Sequence, residues 1–142
     1  MKKILSALMI CVILASSLAP CTLADGSELS NEEPLIEPRY EVIYTISTTL
    51  NISDSGRAEC YASVRIPSGY EVDLLAELQQ KNGNRWETIH DWEDSGSERV
   101  SVSGPWYVMS GYSYRLKVTA TTYDAAGTFV EAPVEYSTTV DY

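Results

Sequence analysis

The sequence predicts an all-β fold, a seven-stranded antiparallel sandwich of two sheets, and three observations support this prediction. From Tyr40 to Tyr142, apolar and polar residues alternate with a period of two, and Thr, Val, Ile and Tyr are frequent. Turn residues recur at intervals of about 8 to 14 positions, which is typical of sandwiches and barrels. No segment shows a sustained helical period, so residues 40–142 are predicted to form one β domain.

Each predicted strand is a run of alternating residues between two turn signals. In order, the seven strands are predicted at residues 40–53, 57–66, 71–81, 85–92, 98–103, 112–121 and 128–140. The first strand is long enough to bend between sheets, and residues 54–56 turn it into the second. The third strand is predicted to place Val72, Leu74, Ala76 and Leu78 in the core and Glu71, Asp73, Glu77 and Gln79 in water.

Turn chemistry sets the limits of the fourth and fifth predicted strands. Asn82-Gly83 predicts a type I′ hairpin turn, because both central residues of that turn need a positive φ. After the fourth strand, residues 93–97 are predicted to form a polar loop. Gly104-Pro105 is predicted to end the fifth strand, since proline lacks an N–H for the ladder.

The last two strands form the clearest predicted pair. The sixth is predicted to bury one face, consisting of Tyr112, Tyr114, Leu116, Val118 and Ala120. Residues 124–127 then predict a turn into the final strand. Because Pro133 cannot donate to a ladder, this final strand is predicted to lie at an edge or to be bulged there.

The amino terminus predicts export from the cell. Lys2 and Lys3 precede an apolar run at residues 4–15, which is too short to span a bilayer. The small residues Thr22 and Ala24 predict cleavage after Ala24. The signal peptide is therefore predicted at residues 1–24, and the product is predicted to be secreted into the extracellular space.

Lipidation of Cys21 is the alternative outcome of export. Leu18-Ala19-Pro20-Cys21 resembles a bacterial lipobox, although that motif expects Gly, Ala or Ser where Pro20 stands. A lipid on Cys21 would make the product a cell-surface lipoprotein. In either case residues 25–39 are acidic, carry two prolines and show no period, so we expect a disordered leader there.

The charge of the chain limits its partners. The sequence has 20 acidic and 10 basic residues, a formal net charge of −10. Loss of Lys2 and Lys3 with the signal peptide changes this charge to −12. We therefore expect no binding to nucleic acid, and none to membranes unless Cys21 is lipidated. We expect a monomer.

Cysteine usage predicts a domain without a disulfide. Cys11 and Cys21 lie within the predicted signal peptide, so only Cys60 remains. Cys60 alternates in phase with Ala58 and Ala62, which predicts a buried small hydrophobic residue rather than a reactive thiol.

No cluster of residues predicts catalysis, a cofactor or a metal site. His90 is the only histidine and has no serine nucleophile or second metal ligand at a suitable spacing, so we expect a structural or surface residue. The acidic residues 91–98 offer oxygens for calcium, but their spacing is not that of an EF-hand, and a solvated turn is the alternative. A domain of this size is also small for a sugar-cleaving cleft. We expect no enzyme.

Aromatic residues are the best functional lead. The candidate ligand-binding residues are Trp86, Trp92, Trp106 and Tyr107. Together they predict a platform for stacking a sugar ring or a peptide. The alternative is that the tryptophans seal the core at the ends of strands, and both interpretations stay open at the level of sequence.

Two resemblances follow from particular motifs. Gly111-Tyr112-Ser113-Tyr114 at the start of the penultimate strand resembles the tyrosine corner of immunoglobulin and fibronectin type III sandwiches, with Tyr114 as the bonding tyrosine. A further combination resembles a family of small exported proteins of unknown function from Gram-positive bacteria. It comprises Tyr44-Thr-Ile-Ser, Leu78-Gln-Gln-Lys-Asn-Gly, Trp86-Glu-Thr-Ile-His-Asp-Trp92, Gly111-Tyr-Ser-Tyr-Arg115 and Tyr136-Ser-Thr. This resemblance implies no catalytic residues.

These observations predict a noncatalytic exported sandwich that binds or spaces something outside the cell. The expected partner is an extracellular glycan or protein. The alternative is a small secreted protease inhibitor that presents a loop at residues 104–106 or 94–97.

Overall fold

A computed structural model describes residues 39–142. The predicted signal peptide, Cys21 and the leader up to residue 38 lie outside the described residues. No helix with the length and apolar character of a membrane span occurs between residues 39 and 142.

The described residues form two antiparallel sheets. The strands are β1 (Thr45–Ile52), β2 (Arg57–Arg65), β3 (Glu71–Asn82), β4 (Arg85–Gly96), β5 (Arg99–Tyr107), β6 (Ser113–Tyr123), β7 (Phe129–Glu131), β8 (Val134–Tyr136) and β9 (Val140–Asp141). The small sheet has the order β1-β2-β5. The large sheet has the order β4-β3-β6, and β7, β8 and β9 all pair with β6.

The inner faces of the two sheets enclose one hydrophobic core. Leu50 and Val64 enter it from the small sheet, and Leu74 and Leu116 enter it from the large sheet. Along each central strand, buried residues alternate with residues that face solvent. The predicted all-β antiparallel sandwich is therefore confirmed.

Three short strands stand where the sequence predicts one final strand. Pro133 has no N–H, and the pairing with β6 is interrupted around it. The Pro133 carbonyl still accepts a hydrogen bond from the Ala120 N–H at 3.2 Å, and the Ser137 N–H donates to the Leu116 carbonyl at 2.9 Å. The pieces thus act as one broken edge strand. The edge position is confirmed, and the continuous strand at residues 128–140 is wrong.

Tyr114 forms the predicted tyrosine corner. Its hydroxyl donates a hydrogen bond of 2.7 Å to the carbonyl of Met109, and its side chain is fully buried. Tyr112, which the sequence predicts on the same inner face, is 38% exposed and precedes β6.

The first strand begins later than predicted, because residues 41–43 bind a carboxylate. Glu131 on β7 accepts hydrogen bonds from the N–H groups of Glu41, Val42 and Ile43 at 2.8 to 3.1 Å. Burial by itself raises the pKa of Glu131, but these three bonds lower it more, so the pKa lies below its ordinary value. Glu131 thereby fastens the start of the domain to the edge of the large sheet.

The turn between β3 and β4 lies one residue later in the sequence than predicted. Asn82 pairs with Arg85, so Gly83 and Asn84 are the central residues of the turn. Of these two, only Gly83 has a positive φ, of 60°. This pattern belongs to a type II′ turn, which needs glycine at the first central position only.

Two predicted strand ends are also wrong. Residues 93–96, part of the predicted polar loop, continue β4 because they pair with the beginning of β3. The chain turns only at residues 97–98, where Glu98 has a φ of 62°. Gly104-Pro105 does not end β5, which runs to Tyr107; β5 is an edge strand, where proline is tolerated.

Candidate functional site

One β-bulge divides the predicted aromatic site. The register between β3 and β4 shifts beside Leu78, where Ile89 has no partner of its own. One extra residue changes which face of the sheet the following side chains occupy. Trp86 lies on the outer face of the large sheet, whereas Trp92 lies on its inner face. The structure therefore does not bring together the four predicted residues, Trp86, Trp92, Trp106 and Tyr107.

The aromatic seam, which we define as His90, Trp92 and Trp106, joins the edge strands of opposite sheets. His90 and Trp92 come from β4, and Trp106 comes from β5. The His90 ring stacks on the Trp106 ring with centroids 3.8 Å apart and planes 9° apart, and it meets Trp92 edge-on at 4.6 Å. These contacts match the interpretation in which tryptophans seal the core.

Gly104 lets Trp92 approach the backbone of β5. A Cβ atom at Gly104 would lie 2.9 Å from Cε2 of the Trp92 indole, and closer still to Nε1. Any side chain at this position would therefore displace the ring. Glycine within a strand often marks such a close approach.

A different constellation occupies the outer face of the large sheet. We call Trp86, Arg115 and Tyr136 the Arg115 stack. The Arg115 guanidinium carbon lies 4.3 Å from the Trp86 ring centroid and 4.2 Å from that of Tyr136. Trp86 lies on β4 and Tyr136 on β8, which are on opposite sides of β6. Tyr136 is 46% exposed, so the stack faces solvent.

Side chains on β3 and β4 hold the guanidinium in place. Arg115 Nε donates a hydrogen bond of 2.9 Å to Gln79 Oε1, and Gln79 Nε2 donates to Thr88 Oγ1 at 3.4 Å. Gln79 is only 7% exposed, although it lies on the outer face of the sheet. The prediction that Gln79 lies in water is therefore wrong, because neighbouring side chains cover it.

An ion pair adjoins the Arg115 stack. Lys117 Nζ lies 2.6 Å from Glu77 Oε2, and the Thr88 hydroxyl donates to Glu77 Oε1 at 2.9 Å. Burial by itself raises the pKa of Glu77. The hydrogen bonds from Lys117 and Thr88, with the charge of Lys117, outweigh burial and lower that pKa.

The terminal nitrogens of the Arg115 guanidinium make no hydrogen bond or ion pair within residues 39–142. Between residues 39 and 142 the ion pairs are Lys117 with Glu77 and Arg57 with Glu59, and neither includes Arg115. The only hydrogen bond of the Arg115 guanidinium to this part of the chain leaves from Nε. Its two terminal nitrogens, Nη1 and Nη2, are thus available to a ligand.

Tyr107 lies apart from both aromatic groups. It pairs with Arg57 at the end of β5 and is 71% exposed. The outer face of the small sheet nearby carries a groove lined by residues that include Thr49, Asn51 and Tyr61. Arg57 at this groove is neutralised by Glu59 at 3.1 Å.

The structure indicates neither a metal site at the acidic segment 91–98 nor a reactive thiol at Cys60. Most of the acidic segment 91–98 belongs to β4, and residues 39–142 contain no group of three His, Cys, Asp or Glu side chains arranged to hold a metal ion. Cys60 is buried as predicted, and burial raises the pKa of its thiol to about 12.

Sequence reasoning missed Arg115 and Tyr136. A usable signal existed, because Arg115 occupies a solvent-facing position on the most regular strand, between the core residues Tyr114 and Leu116. Tyr136 could not be paired with it, since the break at Pro133 hid the register of β8.

Comparison with protein-family models and with curated proteins returns no match for this chain.

Proposed function

We propose that the protein is a noncatalytic exported binding module that holds an extracellular glycan on the outer face of its large sheet. The observation that carries this proposal is the Arg115 stack, a partly exposed group of two aromatic rings and an arginine that forms no ion pair within residues 39–142. Export is taken from the predicted signal peptide at residues 1–24. Lipidation of Cys21 is the alternative way to keep the module at the cell surface.

A glycan fits this face better than an apolar ligand does. Aromatic rings stack on the C–H faces of sugars, while amides and hydroxyls bond to sugar hydroxyls. Half-buried Thr119 supplies such a hydroxyl on the same side of the sheet as Trp86, and the Thr88 hydroxyl, which already donates to Glu77, can accept one further bond. The face extends over the four strands β4, β3, β6 and β8, which gives a continuous sheet surface beside the stack.

The aromatic seam supports binding less well. Trp106 has one ring face against His90, and Trp92 is wedged between His90 and Gly104. Trp92 lies on the inner face of the sheet and packs against the core, where a ligand cannot reach it. The seam is therefore assigned to closing the sandwich.

A noncatalytic role agrees with the state of the reactive groups. The Cys60 thiol is buried with a raised pKa, and thiolate is the nucleophilic form of cysteine. Within residues 39–142, His90 makes ring contacts and no hydrogen bond to a hydroxyl or carboxylate that would suit acid–base catalysis.

The inhibitor alternative stays a prediction. Residues 104–106 and most of residues 94–97 lie in strands rather than in loops. Gly104 is moreover covered by Trp92. A protease would need a segment that projects from the fold.

Binding to a glycan array tests the proposal. Wild-type protein, Trp86→Ala and Tyr107→Ala are compared on neutral and acidic bacterial and host glycans. We expect Trp86→Ala to lose at least tenfold of the affinity for the best glycan and Tyr107→Ala to keep it. A panel without a bound glycan, or equal affinity of Trp86→Ala and wild type, would contradict the proposal.

A further inference from the structure

We infer that the ligand of this face is an acidic sugar, whose anionic group binds the terminal nitrogens of Arg115. The inference rests on the proposed function and adds the chemical class of the ligand. Its basis is the arrangement of the guanidinium, which contacts two rings and one amide yet pairs with no carboxylate in residues 39–142.

The guanidinium is preorganised for this task. The rings of Trp86 and Tyr136 and the bond from Nε to Gln79 restrict its position. A planar guanidinium binds a carboxylate or sulfate through two parallel N–H···O bonds, and such charge-assisted bonds are stronger than neutral ones. Because the side chain is already ordered, less conformational entropy is lost when the ligand binds.

Nearby charges favour an anion at this end of the face. Lys81 lies 5.9 Å from the centroid of the Trp86 ring and takes part in neither ion pair of the described residues. Lys117 is neutralised by Glu77, so Arg115 and Lys81 supply the positive potential. On the neighbouring strand β3, Glu77 already has its hydrogen bonds directed to Lys117 and Thr88.

The acidic character of the rest of the protein limits how densely the ligand is charged. Asp73 and Glu93 lie on the outer face towards its opposite end, and the whole chain has a formal net charge of −10. A polymer with several charges on each sugar would be repelled by this surface. A ligand with one anionic group on every second sugar can place one carboxylate at Arg115 while neutral units alternate along the remainder of the face.

The test compares one glycan with and without its carboxylates, together with a glycan that carries sulfate instead. The probes are a hyaluronan octasaccharide, its carboxyl-reduced derivative, and a sulfated galactan oligosaccharide without carboxylates, each titrated calorimetrically against the protein. Arg115→Lys keeps the charge and loses the planar fork. Arg57→Lys makes the same change on the outer face of the small sheet and serves as the control, and Tyr136→Ala removes one ring while leaving Arg115.

We expect wild type to bind the octasaccharide at least tenfold more tightly than the reduced derivative, because a hydrogen bond to a charged group is lost. Arg115→Lys should abolish this preference, Tyr136→Ala should weaken it, and Arg57→Lys should leave it unchanged. If only the sulfated oligosaccharide binds through Arg115, the anion is a sulfate and the inferred class stands. Equal binding of both hyaluronan forms overturns the inference and leaves the proposed function intact. Failure of every anionic probe to bind also overturns it, while the Trp86→Ala comparison on neutral glycans still decides the proposed function.

Discussion

Trp86 and Trp92 lie on the same strand, yet their surroundings are opposite. Trp92 is fixed between His90 and the backbone at Gly104, where the two sheets meet. Trp86 lies outside the sandwich against Arg115, whose terminal nitrogens make no hydrogen bond within residues 39–142. The bulge at Ile89 creates this difference. The aromatic seam should therefore govern stability, and the Arg115 stack should govern binding.

Replacing the two tryptophans tests this division most strongly. Trp92→Ala should lower the free energy of unfolding by about 3 kcal/mol, because a large packed side chain leaves a cavity. Trp86→Ala should cost only about 1 kcal/mol, mainly the lost cation–π and packing contacts. Denaturant melts of both variants measure these values. Equal losses would mean that the outer face contributes as much to stability as the seam.

Adding an atom at the seam should have a smaller effect. Gly104→Ala places a methyl group inside the contact distance of the Trp92 ring, and overpacking of this kind costs about 2 kcal/mol. The neighbouring Ser103→Ala, on the exposed face of β5, is the control. Thermal melts compare the two variants. An unchanged melting temperature for Gly104→Ala would show that the indole moves aside freely.

Two tyrosine hydroxyls extend the comparison to polar groups. Tyr114→Phe leaves the Met109 carbonyl without its donor and should cost about 1 kcal/mol. Tyr136→Phe keeps the ring against Arg115 and removes an exposed hydroxyl, so its stability should match wild type. Chemical denaturation measures both. A larger loss for Tyr136→Phe than for Tyr114→Phe would reverse the roles of core and face.

The smallest effect is expected from the ion pair beside the stack. The pKa of Glu77 lies below its ordinary value of 4.5, so its ionised form stabilises the fold above that pH and the contribution is lost as the pH falls. Glu77→Gln should cost about 0.5 kcal/mol at pH 7. This difference from wild type should vanish at acid pH, as melts across a pH series would show. Glu93→Gln, on the same face, is the control, and a cost that persists in acid would point to packing rather than charge.

The sequence predicted the fold class because the alternating pattern is strong where the core is formed. Residues 71–81 and 112–121 were correctly predicted as half-buried strands, since each has a wholly apolar inner face over most of its length. Tyr114 was also found, because its position at the start of a regular strand is a local signal.

The candidate site was predicted less well, because it depends on features that no local pattern records. A bulge adds one residue to a strand without changing its composition. Strict alternation in the sequence therefore placed Trp86 and Trp92 on the same face, whereas the bulge puts them on opposite faces. Likewise, the interruption at Pro133 set the register that brings Tyr136 to Arg115. Long-range register therefore decided which aromatic residues meet.

The most direct test follows the three tryptophans at once. Each contributes one indole N–H signal to a ¹H–¹⁵N NMR spectrum, and the single-site variants assign the signals. On titration with the hyaluronan octasaccharide, only the Trp86 signal should shift, while the signals of Trp92 and Trp106 stay in place. Shifts confined to Trp92 and Trp106 would contradict the account, because they would move the binding site to the aromatic seam.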